Sequence, residues 1–121
     1  AGIIYTNILA AIGAWPMGIR ANLLAMLERG NDSAMLRFSL AGEMLKDGDI
    51  AEAIEHAQKA VEMQPDYSAA WKLLGKACVA ANDSARAIAA YSQGIDVSEA
   101  RGDKQAAKEM RVFLKRLQRD T

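Results

Sequence analysis

Hydrophobic positions recur at steps of three and four through much of the 121-residue chain, a period that predicts amphipathic helices. Between residues 19 and 29 the apolar stripe consists of Ile19, Leu23, Met26 and Leu27. Between residues 103 and 118 it consists of Ala107, Met110, Leu114 and Leu117. Polar turn residues separate the stripes, as in "KDGD" (46–49) and "AAND" (80–83). We predict five helices from residue 19 onward, with a sixth before Pro16 as an open alternative.

The segments 34–67 and 68–101 align with each other at an offset of 34 positions. The matched pairs are Leu40 with Leu74, Ala41 with Gly75, Asp49 with Asp83, Ala51 with Ala85, Ala53 with Ala87, Ile54 with Ile88 and Ala60 with Gly94. Each unit has the pattern of a helix, a short turn and a second helix. The chain therefore contains two copies of one helical hairpin.

The residues at the predicted turns have the chemistry that ends and starts helices. Gly48 and Asn82 suit the left-handed backbone that terminates a helix. Asp49 and Asp83 are then expected to cap the next helix with their carboxylates. After Pro65 stops the second helix, Asp66 is expected to cap the third, and Asp103 the last.

The interval and the residue types resemble the tetratricopeptide repeat. The second unit carries that family's pattern at Trp71, Leu74, Gly75, Ala87, Tyr91 and Gly94. The first carries it at Leu40, Ala41, Ala53, Ala57, Ala60 and Pro65. The departures are Arg37 in place of tryptophan, Ala57 in place of a larger side chain and Glu99 in place of proline. The whole chain is also similar to the small stand-alone repeat proteins of bacteria.

The resemblance implies an all-α superhelix of two helix hairpins with a right-handed twist. Small residues at Ala41 and Gly75 would let the two helices of a hairpin approach to about 8–10 Å between axes. We expect an apolar segment at 1–16 and one helical domain at 17–121. That domain would contain repeats 34–67 and 68–101, an amino-terminal flanking helix and a capping helix at 103–119, because two repeats alone bury too little core.

By the same resemblance, the first helix of each hairpin lines a peptide-binding groove. Its candidate residues are Met35, Phe38, Leu45, Lys72, Lys76, Val79, Lys108, Val112 and Lys115, with the last helix aligned by setting Met110 at the place of Leu74. Such a groove is apolar at one end and basic at the other. It would complement a peptide with an apolar anchor near Phe38 and an acidic end near the lysines.

Two alternatives for these groove residues stay open. Lys72 and Lys76 could be a solvated pair, and Phe38 and Met35 could be buried under the preceding helix. Some family members grip the terminal carboxylate of a chaperone tail with lysine and asparagine at groove positions. Here Phe38 and Gly42 occupy the first-unit positions, so that grip is incomplete.

The net charge of zero hides an asymmetry along the chain. Residues 34–67 carry three basic and seven acidic side chains, whereas residues 102–121 carry six basic and three acidic ones. The two regions are either solvated helix faces or surfaces for different partners, or they meet each other across two chains. A neutral protein with 6% aromatic residues lacks the footprint of a nucleic-acid binder, so no nucleic acid is expected as a partner.

The first residues differ from the rest of the chain in composition, because no charged side chain occurs from Gly2 to Trp15. The segment is shorter than the roughly 20 residues that span a membrane, and it lacks a signal-peptide pattern. It is a capping helix, a self-association segment, or a leader that is either processed or foreign to the natural protein. Homo-oligomers through residues 3–15, with that segment filling the groove, are one consequence considered.

Little in the sequence suggests catalysis. His56 and Cys78 are the single histidine and the single cysteine, so a site with several such ligands is excluded. We interpret His56 as an exposed helical residue and Cys78 as a small core residue in a cytoplasmic protein. We expect no cofactor, no metal and no enzyme activity. The expected function is a protein-binding adaptor, or co-chaperone-like module; the alternative is a self-assembling structural subunit.

Overall fold

The computed structural model describes residues 18–120, and within them six helices follow one another without a strand. They are α1 (Gly18–Glu28), α2 (Ala34–Lys46), α3 (Ile50–Met63), α4 (Ser68–Ala80), α5 (Ser84–Arg101) and α6 (Lys104–Asp120). The all-α prediction is confirmed. The predicted count of five is wrong, because each flank adds one helix to the four of the two hairpins. The helix considered before Pro16 lies outside the described residues.

The chain divides into two compact units between Asp32 and Ser33. Helix α1 belongs to the first unit. On its apolar stripe Ile19 and Met26 are exposed, while Leu23 and Leu27 are half-buried. The second unit contains α2 to α6 and therefore both predicted hairpins.

The turns inside the two hairpins have the predicted backbone. Gly48 and Asn82 adopt positive φ angles of 83° and 59°. Asn82 is the sole non-glycine residue with positive φ in the described part of the chain, and asparagine tolerates that conformation better than most residues. Each hairpin therefore reverses its direction in a tight turn that local sequence specifies.

The predicted helix caps are only partly confirmed. The carboxylates of Asp83 and Asp103 accept hydrogen bonds from the backbone N–H groups of residues 86 and 106, at 3.1 Å and 3.2 Å. Asp49 occupies the N-cap position of α3 without a side-chain capping bond, and Tyr67 rather than Asp66 precedes α4. The backbone turn at 64–67, closed by Tyr67 N–H to Gln64 C=O, delays the start of α4 by one residue.

The second hairpin has a longer second helix than the first. Glu99 stands where the first repeat has Pro65, and α5 continues past it to Arg101. Gly102 then ends the helix with a φ of 78°. The extra length brings Arg101 to the preceding connection, where its guanidinium donates to the Asp66 carbonyl at 2.6 Å. The missing proline therefore creates a contact that ties α5 to the start of α4.

Small residues lie where the helices of each hairpin cross. Ala41 and Ala53 are fully buried between α2 and α3, and Gly75 and Ala87 are buried between α4 and α5. A β-carbon at Gly75 would overlap the ring of Tyr91. The small side chains thus allow a helix spacing that larger ones would prevent.

Helix α6 covers the open side of the second hairpin. Ala107 and Met110 are buried, and Leu114 and Leu117 pack half-buried against Tyr91 and its neighbours, as the apolar stripe predicts. Met110 is the seventh residue of α6 as Leu74 is the seventh of α4, and both are buried, which agrees with the proposed alignment of the last helix. No helix among residues 18–120 is both long and apolar enough to span a membrane.

Candidate functional site

The first helices of the repeats form one surface of the second unit. Helix α4 contacts α2 on one side and α6 on the other. The nine candidate residues lie on these three helices. We call the surface that they mark the first-helix face: Met35, Phe38 and Leu45 from α2, Lys72, Lys76 and Val79 from α4, and Lys108, Val112 and Lys115 from α6.

Exposed apolar side chains are concentrated on this face. In the described second unit four large hydrophobic side chains are exposed: Met35 at 69%, Val79 at 40%, Val112 at 46% and Met63 at 45%. The first three come from α2, α4 and α6 respectively, and Met63 lies at the end of α3. Each first helix therefore presents one uncovered apolar side chain.

Aromatic packing stabilises the α2 end of the face. The rings of Phe38 and Tyr67 lie 5.1 Å apart between centroids, tilted by 38°. Both are half-buried and pack against the main core cluster. Phe38 is therefore partly a core residue, and like the half-buried Leu45 it offers a ligand only part of its side-chain surface.

The two lysines of α4 contact α6 and are not an open pair. Lys72 Nζ lies 2.7 Å from Glu109 Oε2, and Lys76 Nζ lies 5.6 Å from the centroid of the Phe113 ring. The second distance is within the range of a cation–π contact. The expectation that both lysines are available to an acidic ligand is therefore incomplete, since each already contacts a side chain of α6.

Glu109 is held by two donors. Its other oxygen accepts a hydrogen bond from Gln105 Nε2 at 3.2 Å. The hydrogen bond from Lys72 is the largest cause that lowers the pKa of Glu109 below its ordinary value, followed by the hydrogen bond from Gln105. Glu109 is consequently a carboxylate at neutral pH.

A small hollow lies at the α6 end of the face. It has a volume of about 180 Å³ and is lined by Val79, Tyr91, Phe113, Arg116, Leu117 and Asp120. The Tyr91 and Phe113 rings are 5.6 Å apart between centroids. Burial raises the pKa of Tyr91 to about 12, so its hydroxyl stays protonated at neutral pH. The hollow is large enough to accept a small apolar side chain.

Lys108 and Lys115 supply accessible positive charge to the α6 part of the face. Both side chains are exposed, and neither has an ion pair among the described residues. Val112 lies between them on α6, so one apolar and two cationic groups share the outer surface of the helix. The face therefore has exposed cationic groups on α6, and the exposed Lys76 adds one on α4 beside the Phe113 ring.

Two larger hollows lie on the opposite side of the hairpins. Their volumes are about 400 Å³ and 300 Å³, and both are lined by Gln58 and Arg86 from α3 and α5. The walls of the larger one are mostly charged: Arg37, Glu55, Lys59, Glu62 and Arg86. No exposed large hydrophobic side chain of the described residues lines either of them. The larger hollow therefore offers mostly charged surface, whereas the smaller one is also lined by apolar side chains, among them Trp71 and Leu74.

The single histidine and the single cysteine take structural positions. Cys78 is buried, as predicted, and burial is the largest cause that raises the pKa of its thiol. His56 is half-buried, so its interpretation as an exposed residue is wrong. Its Nδ1 lies 3.1 Å from a guanidinium nitrogen of Arg37, so the side chain bridges α3 and α2.

Three contact residues, Glu109, Phe113 and Tyr67, were not among the candidates predicted from the sequence. Each contacts a candidate residue from a neighbouring helix: Glu109 pairs with Lys72, Phe113 with Lys76 and Tyr67 with Phe38. From helix periodicity alone, these residues are placed at the edges of the apolar stripes, where contacts with a neighbouring helix are not specified. The alignment of Met110 with Leu74 places Glu109 and Phe113 beside the inward stripe of α6, but it does not say which side chain of α4 each of them contacts.

Comparison with known proteins agrees with the helical repeat. A family model described as tetratricopeptide repeat matches residues 38–106. The chain is 53% identical over 94 residues to a TPR repeat-containing protein from Pseudomonas aeruginosa, an alignment that covers 78% of this chain and 90% of that protein.

Solved structures show the same architecture. A protein from Bordetella parapertussis, solved in solution, shares 39% identity and a TM-score of 0.74, with 84% of this chain and 89% of that one covered. A crystal structure of a tetratricopeptide repeat domain protein from Salinibacter ruber shares 28% identity and a TM-score of 0.66, with 71% and 97% covered. The chain therefore belongs to the tetratricopeptide repeat family, whose members generally mediate contacts between proteins and are typically not catalytic.

Proposed function

We propose that this chain is a non-catalytic adaptor that binds a peptide segment of another protein on its first-helix face. The segment would lie across α2, α4 and α6 and bury the exposed apolar side chains of that face. This is the helical-repeat form of groove recognition, in which side-chain anchors supply affinity and charges supply selectivity.

One observation carries the proposal. Met35, Val79 and Val112 are exposed on three successive first helices, and they account for three of the four large exposed hydrophobic side chains in the described second unit. Burying such side chains is favourable at about 25 cal/mol per Å² of apolar surface. A ligand that contacts all three gains apolar burial that the folded chain does not achieve alone.

The opposite side of the hairpins is a weaker candidate for the binding surface. Its hollows are larger, but the side chains around the largest are mostly charged. Desolvating charged groups costs free energy unless the ligand replaces their contacts. Exposed apolar anchors favour the first-helix face over cavity size alone.

The experiment begins with selection of peptides from a displayed random dodecapeptide library on the purified chain. The affinity of an enriched peptide is then measured by fluorescence anisotropy for the chain and for Met35→Ser and Val112→Ser. We expect each substitution to weaken binding about three- to tenfold, since each removes part of a buried apolar contact.

Met63→Ser is the matched control. Met63 is 45% exposed and Val112 is 46% exposed, but Met63 lies on α3, away from the face. Its substitution should leave the affinity unchanged. Equal losses in all three variants, or no enrichment of any peptide, would contradict the proposal.

The self-assembling subunit is the second proposal. Its motivation is the uncharged segment from Gly2 to Trp15, which could fill the first-helix face from a second copy. Sedimentation of the chain and of a version starting at Met17 distinguishes the two. A lower mass and stronger peptide binding after truncation would favour self-assembly, whereas equal masses and equal affinities would reject it.

The proposed setting is the cytoplasm. Its support is the cysteine content: Cys78 is the single cysteine, so no internal disulfide can form. No cofactor is needed for the proposed function.

A further inference from the structure

The first-helix face contains a carboxylate of its own at the place where an acidic ligand would be expected. Glu109 Oε2 lies 2.7 Å from Lys72 Nζ, and Glu109 Oε1 accepts a hydrogen bond from Gln105 at 3.2 Å. Both oxygens are thus engaged by donors from two helices. An incoming carboxylate at Lys72 would share the ammonium with Glu109 and would have to lie close to that second carboxylate.

Lys72 and Glu109 are partly shielded from water. Their side chains are 30% and 37% exposed, compared with 73% for Lys46 in its pair with Glu43. Partial shielding strengthens an ion pair relative to a fully solvated one, although it remains a modest contact. The Lys72–Glu109 pair is therefore a partly solvated contact that is open to competition from a ligand.

Lys76, the second lysine of α4, cannot simply replace Lys72 as the partner of an acidic ligand group. Lys76 Nζ lies over the Phe113 ring, 5.6 Å from its centroid, and its charge also helps to hold Glu109 as a carboxylate. An acidic group placed beside α4 would approach the negative charge of Glu109. If the ligand displaced Glu109 from Lys72, the Glu109 carboxylate would lose its ion pair and would remain next to the acidic group of the ligand.

We infer that Glu109 is a specificity-determining residue of the first-helix face, which occupies Lys72 internally and makes α4 disfavour acidic ligand groups. This inference rests on the proposed function. It corrects the simple expectation of an acidic peptide end at Lys72 and Lys76. A ligand segment is neutral or apolar where it crosses α4.

The lysines of α6 would then bind the acidic groups of the ligand. Lys108 and Lys115 are exposed, have no ion pair among the described residues and flank the exposed Val112. The partner that fits is a peptide segment with three apolar residues, which contact Met35, Val79 and Val112. An acidic residue lies next to the apolar residue that contacts Val112. The acidic residue is at one end of the segment only.

The test compares the peptides that two forms of the protein select. The dodecapeptide library is selected in parallel on the unaltered chain and on Glu109→Gln, which keeps the size of the side chain and removes its charge. Without that charge Lys72 is available, so we expect the selected peptides to contain about one more aspartate or glutamate each. A peptide from the second pool should bind Glu109→Gln about two- to fivefold more tightly than the unaltered chain.

Glu99→Gln is the matched control. Glu99 also forms an ion pair with a side chain of α6, that of Arg111, but it lies on α5 outside the first-helix face. This variant should select the same peptides as the unaltered chain. Circular dichroism of both variants verifies that the helices are retained.

The outcomes separate the two levels of the inference. Peptides enriched on both proteins with the same acidic content would overturn the role of Glu109 and leave the adaptor proposal standing. A rise in acidic content with Glu99→Gln equal to that with Glu109→Gln would also overturn it, because net charge alone would explain both. A failure to enrich any peptide on any form would overturn the proposed function itself.

Discussion

The ring of Tyr91 lies directly on the backbone of Gly75, where a β-carbon would come within 2.6 Å of the ring carbons Cδ1 and Cζ. Tyr91 is 2% exposed and is held on its other side by Phe113. The ring cannot move aside without disturbing α6. The contact between Gly75 and Tyr91 therefore fixes the spacing of α4 and α5.

This contact predicts that Gly75→Ala destabilises the protein. Alanine favours a helix over glycine by about 1 kcal/mol, but overpacking a core of this kind costs about 1–3 kcal/mol. We expect a net loss in the free energy of unfolding, measured by urea denaturation. Gly42→Ala is the control, because a β-carbon there meets no atom within 4 Å, and we expect it to stabilise α2 by about 0.5–1 kcal/mol. Stabilisation by both substitutions would contradict the close approach.

Glu99→Pro tests the lengthened helix of the second hairpin. Proline is the family's usual residue here, but α5 continues to Arg101, so residue 99 is inside a helix. Proline would remove a backbone hydrogen bond and separate Arg101 from the Asp66 carbonyl. We expect a loss of about 3 kcal/mol or more in unfolding free energy, against less than about 1 kcal/mol for Glu99→Ala. An equal or higher stability of the proline variant would show that α5 ends earlier.

The Lys72–Glu109 pair predicts a lowered pKa for the Glu109 carboxyl, which a titration can measure. Its hydrogen bonds hold the pKa of Glu109 below the ordinary value of 4.5. The pair therefore contributes stability above pH 4.5, and this contribution is lost as the pH falls through the lowered pKa. Carbon-13 NMR of the side-chain carboxyl should give a value below 4.5 that rises towards 4.5 in Lys72→Met. A pKa of Glu109 that is the same in both proteins would mean that the pair does not form in solution.

Tyr91 predicts a second pH effect, on the alkaline side. Burial raises its pKa from 10.0 to about 12, so between these values the unfolded chain releases the phenol proton and the folded chain keeps it. Stability should therefore fall as the pH rises from 10 to 12. The urea midpoint of Tyr91→Phe should fall less steeply over this interval. Identical slopes for the two proteins would contradict the burial of the hydroxyl.

The repeat architecture could be predicted from the sequence because small residues recur at a fixed interval. Ala41 and Gly75 are predicted at helix crossings, and both are buried there. Gly48 and Asn82 are predicted to turn with positive φ, and both do. Backbone requirements of this kind act over a few residues, so the local sequence expresses them.

The partners of the site residues could not be predicted in the same way. Lys72 and Glu109 are separated by 37 positions, and their contact depends on how α6 is aligned against α4. Glu99 indicated that the usual stop of the second hairpin was missing, but not how far α5 would continue. Pairing between helices is a tertiary property, whereas helix periodicity reports which side of each helix is buried.

The most direct test of the central claim is a map of where a selected peptide binds. Amide chemical shifts of the isotopically labelled chain are recorded with increasing amounts of an enriched dodecapeptide. The account predicts that the largest changes lie on α2, α4 and α6, around Met35, Val79 and Val112. Changes concentrated instead on α3 and α5, around Gln58 and Arg86, would place the ligand on the opposite side and contradict the account.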